Sequence, residues 1–397
     1  MKQRDILQLA VCLLITDAAA AIPEAVGRPT VIMTHGGTPS GDLFFVTDES
    51  EFAAAIASGR TIELAADILL TSALSIVDID HLTIHGNGYT VDGQNTSRCF
   101  AISHSGLHVT DLTVTNGVAL EDNHAGNGGG MILVDSNISI SNSVMSENIA
   151  AGSGGGLAVT RNSRATLYRT AFTGNIGGGV HIDVSKVNMS DCNVLYNTQD
   201  AAVGGGVSIV GSNVTMTSTI ITGNKCSSLG GGVWITSYGS FFAPLAAIVT
   251  MTSCEISDNH AAALGSSSGG GIYINQTQFG TASEPQVVVV GSVFADNKSG
   301  GKSDDDGAGE ANDIFIGEGA FLGVFSNCPF DTFNAGTGTL ACEPAEACEN
   351  YAANLAGQCS PCEADTFACC GSMACDATEP PCTSIEDTIC DSTGAFA

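Results

Sequence analysis

Apolar residues recur on a fixed grid along the middle of the chain. Each unit ends on an asparagine: Asn148, Asn175, Asn197, Asn224, Asn259 and Asn297. Ten residues before it stand Ile138, Ala165, Val187, Val214, Val249 and Val287. Eight before it stand Ile140, Leu167, Met189, Met216, Met251 and Val289, and three before it Met145, Phe172, Val194, Ile221, Ile256 and Phe294. The positions at ten and eight share one face of an extended strand, so they point inward together. Each unit opens with three glycines (128–130, 154–156, 177–179, 204–206, 230–232, 269–271) and an alternating run such as Val180–Ile182 or Val233–Ile235. A strand-built repeat of about 22–27 residues describes a solenoid, one repeat forming one coil of a parallel β-helix. The closing Asn, repeated in the same turn, is expected to adopt a left-handed backbone and to stack its amide on the next coil's amide.

The pattern changes at both ends. Asp48–Gly59 has an acidic start, an Ala-rich middle and a terminal Gly, which predicts a short helix capping the open end of the solenoid. Thr61–Leu64, Ile68–Leu70, Leu74–Ile76, Leu82–Ile84, Tyr89–Val91, Phe100–Ile102, Leu107–Val109 and Leu112–Val114 predict strands of two or three less regular coils. Lys2 and Arg4 ahead of apolar Ile6–Ile15 and small Ala18–Ala20 read as a secretory signal over 1–21. Residues 22–43 read as a linker or edge strand, 44–327 as the β-helix and 328–397 as a Cys-rich module. No later stretch approaches the ~20 apolar residues of a spanning helix.

Composition sharpens the address. Of fifteen cysteines, Cys12 lies in the signal, Cys99, Cys192, Cys226 and Cys254 in the body, and ten crowd between Cys328 and Cys390. In a secreted chain the crowd reads as a disulfide-stapled module. Asn95, Asn137, Asn188, Asn213, Asn275 and Asn297 begin Asn-x-Ser/Thr sequons, several of them on predicted strands. A formal net charge of −29, with no Lys, Arg or His after Lys302, repels nucleic acid and anionic membranes. No cofactor motif stands out. Ca²⁺ is the ion such a surface would attract weakly; Asp304, Asp305 and Asp306 are the clustered carboxylates, but their Gly/Ser loop reads more simply as a solvated turn. Ser299–Ser303 imitates the end of a P-loop without the earlier Gly or the following helix.

The Gly-Gly-Gly-aliphatic starts, with Phe172-Thr173-Gly174-Asn175 and Phe294-Ala295-Asp296-Asn297, resemble the paired GGA(I/L/V) and FxxN repeats of polymorphic outer membrane proteins. Those are β-helical surface proteins within the wider pectin-lyase-like superfamily. The resemblance covers roughly 44–330 and implies an all-β, right-handed, single-stranded parallel β-helix. It departs at the end, where those proteins continue into a membrane barrel and this chain into its Cys-rich tail.

Candidate chemistry gathers at one corner. The last two coils insert Ser237–Ala247 and Gln276–Pro285 after the post-glycine strand, and long loops on a regular scaffold tend to carry function. The outward positions of that strand are Ile132, Ala158, His181, Ser208, Trp234 and Tyr273. Trp234, the only Trp, and Tyr273 are expected to face solvent as a sugar-binding platform, unless the inserted loops fold over them. For an enzyme, superfamily lyases imply clustered Asp for Ca²⁺ with an Arg or Lys base, and hydrolases imply paired carboxylates. The candidates near the aromatics are His181 and Asp183, with Arg161 and Arg164 a coil earlier. The preferred expectation is a secreted or cell-surface, adhesin-like binding protein contacting glycans or surface proteins. The alternative is a polysaccharide lyase or hydrolase.

Overall fold

The computed structural model describes residues 42–316 apart from 121–124, 201–202, 239–244, 263–268, 276–284, 301–309 and 312–313. Beyond these it describes only backbone strands: Phe321–Phe325, Phe333–Asn334, Thr339–Cys342, Tyr351–Ala353 and Cys359–Pro361. The signal segment, most of 22–43, Asp304–Asp306, the tips of both inserted loops and nearly all of 328–397 lie outside the described residues.

One coil shows how the sequence folds. After Gly128–Gly130 the strand Met131–Val134 joins the post-glycine sheet, Asn137–Ser141 the broad sheet and Val144–Ser146 a sheet of short strands; Ile149–Ala150 closes the turn. Stacked coils give parallel sheets of ten, twelve and nine strands respectively, so the fold is a parallel β-helix. The grid holds: Ile138 and Ile140 on the broad sheet and Met145 on the short-strand sheet are 1%, 0% and 1% exposed, and their equivalents in the other five coils are likewise buried.

Each corner of the coil uses a two-residue device. A residue in the left-handed conformation swings the chain, and the next residue turns a polar side chain inward to satisfy corner backbone. In this coil the pairs are Asp135 (φ 48°) with Ser136, Asn142 (φ 48°) with Ser143, and Glu147 (φ 56°) with Asn148. The left-handed residue is thus the one before the ladder Asn, correcting the expectation that Asn itself adopts it. The amide geometry gives the reason. Asn148, Asn175, Asn197, Asn224, Asn259 and Asn297 are fully buried, and each of the first five donates from Nδ2 to the next coil's Oδ1 over 2.9–3.1 Å. The same oxygen also accepts the preceding Asn's backbone N–H, as Asn197 Oδ1 does from Asn175 at 3.0 Å.

Two further ladders run up the other corners. Ser143, Thr170, Cys192, Thr219, Cys254 and Ser292 each donate to the carbonyl two residues earlier. Ser136, Ser163 and Ser212 accept backbone N–H groups from the preceding coil. Cys192 and Cys254 therefore stand in for corner hydroxyls; with Cys99 they are buried free thiols. The glycine triplet packs against the Asn ladder. A Cβ on Gly179 would lie 2.9 Å from Asn197 Nδ2 and 2.8 Å from the Gly206 carbonyl, so no larger residue fits there.

The open end is covered as expected. Helix α1 (Glu49–Ala55) begins at Asp48, whose carboxylate accepts the Glu51 N–H at 2.8 Å. Phe52 plugs the core edge-on to Phe100, with centroids 6.0 Å apart, and Glu49 accepts the backbone N–H groups of Thr71 and Ser72. Burying that phenyl ring contributes roughly 2–3 kcal/mol. Among the described residues no helix is long and apolar enough to cross a membrane.

Candidate functional site

The outward positions of the post-glycine strands form one register: Ala101, Ile132, Ala158, His181, Ser208, Trp234, Tyr273 and Phe315. The expectation that this column faces water needs correction. Ile132, Ala158 and Ser208 are buried, Tyr273 is 8% exposed, and His181 and Trp234 are partly buried. The chain covers its own sheet, because the segment entering five of the six triplets crosses the outer face on its first glycine, whereas Gly177 lies against Ala150. A Cβ on Gly154 would lie 2.9 Å from His181 Cβ, and one on Gly230 only 3.0 Å from Trp234 Cα. Alternation places these residues outward but cannot tell an outer face from a wet one.

The column's character changes along the axis. Ile132, Val134 and Ala158 form a small apolar cluster outside the main core. His181 follows, its Nδ1 3.2 Å from Ser208 Oγ; burial pushes its pKa down to about 4, so the ring is neutral near pH 7. Asp183 lies two residues on and shares the His181 face of the strand. Burial raises its pKa, opposed by the guanidinium of Arg161. Arg164 starts a broad-sheet strand and is exposed. Val184, which turns the corner after Asp183, holds φ 47°, a conformation in which a β-branched residue is strained.

Beyond Ser208 the column becomes aromatic. Tyr273 stacks on Phe315 with centroids 5.0 Å apart and planes within 10°. Burial raises the Tyr273 pKa, and a hydrogen bond with the Asn275 side chain counteracts it. Trp234 pairs in register with Tyr273 across one strand spacing, and its indole nitrogen is buried with no hydrogen-bond partner among the described residues. The insertion after the Trp234 strand is closed at its base by reciprocal backbone bonds between Tyr238 and Leu245 (2.9 and 3.0 Å). Gly211 makes room for that base: its φ is 49°, and a Cβ there would lie 2.5 Å from Tyr238 Cβ.

The structure thus brings His181, Asp183, Trp234 and Tyr273 onto one side of the solenoid, with His181 two strand spacings (~10 Å) from Trp234. Among the described residues of the post-glycine strands, Asp183 is the only carboxylate. Among the described residues, no group of three or more His, Cys, Asp or Glu is arranged to hold a metal ion. Sequence reasoning placed Ser208 in the outward column without singling it out as the partner of His181, and it missed Phe315. The register count that placed Trp234 over Tyr273, carried one coil further, reaches Phe315.

Residues 67–244 match the family model described as "right handed beta helix region". No curated protein and no solved structure matches the chain. The match agrees with the stacked parallel sheets: this is a right-handed parallel β-helix repeat protein.

Proposed function

We propose that this chain is a secreted or cell-surface β-helix that works by binding, in the manner of an adhesin, with an extracellular glycan as its ligand at the aromatic end of the post-glycine column. The observation that carries the reading is the indole N–H of Trp234, buried next to Tyr273 without an acceptor among the described residues. An unpaired buried donor costs roughly 1–3 kcal/mol, and a sugar oxygen that accepted it would recover much of that. Sugar rings also stack readily on indole and phenol faces. Tyr273, already stacked on Phe315, is then a rigid wall beside the ligand.

The competing reading is a polysaccharide lyase or hydrolase using His181 and Asp183. Hydrolysis of a glycosidic bond ordinarily needs two carboxyl groups flanking it. Asp183 has no second carboxylate on these strands, and His181, neutral and bonded to Ser208, sits two coils from the indole. Geometry therefore favours binding. Ca²⁺ at Asp304–Asp306 belongs to the same proposal as a weak, separate contribution.

The test is a glycan array with the full chain and its Trp234→Ala variant, each with and without EDTA. Binding in the parent that falls at least tenfold in the variant, a loss of about 1.4 kcal/mol, supports the reading. Equal binding by both proteins, or none by either, overturns it. Shortened products in the spent glycan pool would instead favour the enzyme.

A further inference from the structure

Six Asn-x-Ser/Thr triplets lie in the sequence, and the fold treats them differently. Asn137, Asn188 and Asn213 stand on the broad-sheet strands Asn137–Ser141, Lys186–Ser190 and Asn213–Thr217, all three exposed. Residues i and i+2 of a strand share a face. Each of these sequons therefore turns both its amide and its hydroxyl (Ser139, Ser190, Thr215) toward solvent. Asn297 obeys the same alternation with the opposite result. With Ser299 it points inward, 1% and 0% exposed, accepting the Asn259 backbone N–H at 3.1 Å and donating to the Ile256 carbonyl at 2.8 Å.

We propose that the outer face of the broad sheet is a glycan-bearing surface, modified at Asn137, Asn188 and Asn213, and that the sequon at Asn297 stays bare. In the transfer, the Asn amide nitrogen forms a C–N bond to the reducing-end carbon of an oligosaccharide carried on a lipid pyrophosphate. The lipid pyrophosphate leaves and the amide gives up one proton. Transfer precedes or accompanies folding, so burial acts afterwards. A sugar on Asn297 would open the Asn ladder at its bonds to Asn259 and Ile256, and such chains would not reach the folded state. Asn137 and Asn213 line one row across Arg164 and Lys186, three strand spacings or ~14 Å apart. Asn188 stands one row over. Three glycans so placed screen the middle of the broad sheet and leave the Trp234 side of the coil open, which is where binding is proposed.

This inference rests on the secretory reading, so the experiment separates the two. The full chain is expressed in a eukaryotic secretory host, with its own N-terminus and with residues 1–21 replaced by a known leader. Secreted protein is treated with peptide-N-glycosidase in heavy-oxygen water, and labelled Asp is mapped by mass spectrometry. The expected result is label at positions 137, 188 and 213 in most chains, none at 297, and the loss of one glycan step on a gel for each of Asn137→Gln, Asn188→Gln and Asn213→Gln. Unlabelled broad-sheet sites in leader-routed protein overturn the proposal, as does labelled Asn297 in folded secreted chains. Label found only with the substituted leader supports the glycan face and refutes the native secretory signal.

Discussion

Replacing Asn197 by Ala isolates the Asn ladder's contribution to stability. Its Oδ1 accepts the Asn175 backbone N–H at 3.0 Å and the Asn175 Nδ2 at 2.9 Å, while its own Nδ2 donates to the Phe172 carbonyl at 3.0 Å and to Asn224 Oδ1 at 2.9 Å. In the variant, Asn224 Oδ1 keeps a donor, the backbone N–H of residue 197 at 3.0 Å. Asn175 keeps its bond to the Met145 carbonyl. The groups stranded outright are two donors, the Asn175 backbone N–H and one Nδ2 hydrogen, in a site with no exposed surface. At roughly 1–3 kcal/mol per buried unpaired donor, the loss is about 4 kcal/mol before any cavity term. That is a large fraction of the 5–15 kcal/mol typical of a domain.

Asn197→Asp sharpens the test. A carboxylate there still accepts both Asn175 hydrogens, but its second oxygen faces two acceptors, Phe172 O and Asn224 Oδ1. The protonated acid, with an O–H to donate, suits the site better, so the folded-state pKa should rise above the unfolded value near 3.9. A raised folded pKa means stability that is full below the unfolded pKa and lost as pH rises through the folded one. The Asp variant should therefore approach the parent near pH 3.5 and resemble the Ala variant at pH 7. Equilibrium urea unfolding followed by circular dichroism, with hydrogen exchange at Asn175 as a local probe, reads both variants. A loss under 1 kcal/mol for the Ala variant, or an Asp variant unaffected by pH, would refute the ladder reasoning.

Three further outcomes follow from the same corners. Val184→Gly removes a β-branched residue from φ 47° and should raise stability by about 1 kcal/mol, the left-handed cost of about 1–2 kcal/mol less the entropic cost of Gly; an unchanged urea midpoint would show the corner unstrained. His181, with its folded pKa depressed to about 4, binds fewer protons folded than unfolded between pH 4 and 6.5, so stability should fall by on the order of 1–3 kcal/mol as pH drops through that window. His181→Gln should flatten that limb, and an unflattened limb would assign it to other groups. Cys192→Ser and Cys254→Ser should each cost under about 1 kcal/mol, since Ser and Thr fill the same column in other coils; in the parent, thiol reagents should reach neither sulfur until the chain unfolds.

What was legible in the sequence was whatever repeats with one chemistry. The positions ten, eight and three before Asn are all aliphatic, aromatic or Met, and all are buried, because a coil's interior admits no other class. The Asn ladder was legible because one residue type alone offers both a donor and an acceptor in line with the axis. The serine and mixed Ser/Thr/Cys ladders keep equally strict register yet escaped notice. A corner hydroxyl needs only one short donor, so Ser143, Thr170 and Cys192 serve alike and their identities vary. The left-handed corners were harder still: Glu147, Arg169, Val184 and Tyr196 share no property but their place before an inward polar residue.

The outward column marks the limit of pattern reading at the site. Period-two alternation assigns Trp234 and Tyr273 to the outer face correctly and is silent on what lies over that face. The covering is done by the first glycine of every triplet but 177–179, a glycine which the sequence presents only as a turn. With that layer in place, the aromatic pair changes from an open platform to a partly covered one, Tyr273 being 8% exposed and Trp234 partly buried, and the demand on a ligand changes with it. A flat platform would select by stacking area alone. A partly covered pair with Tyr273 fixed on Phe315 and an indole N–H unpaired among the described residues selects for a ring that brings an acceptor to one position, so affinity should depend on a single hydroxyl or ring oxygen of the glycan. Deoxy or fluoro analogues of any glycan found on the array, compared one position at a time, would show that dependence as one position losing most of the binding. Losses spread evenly around the ring would return the site to a stacking surface.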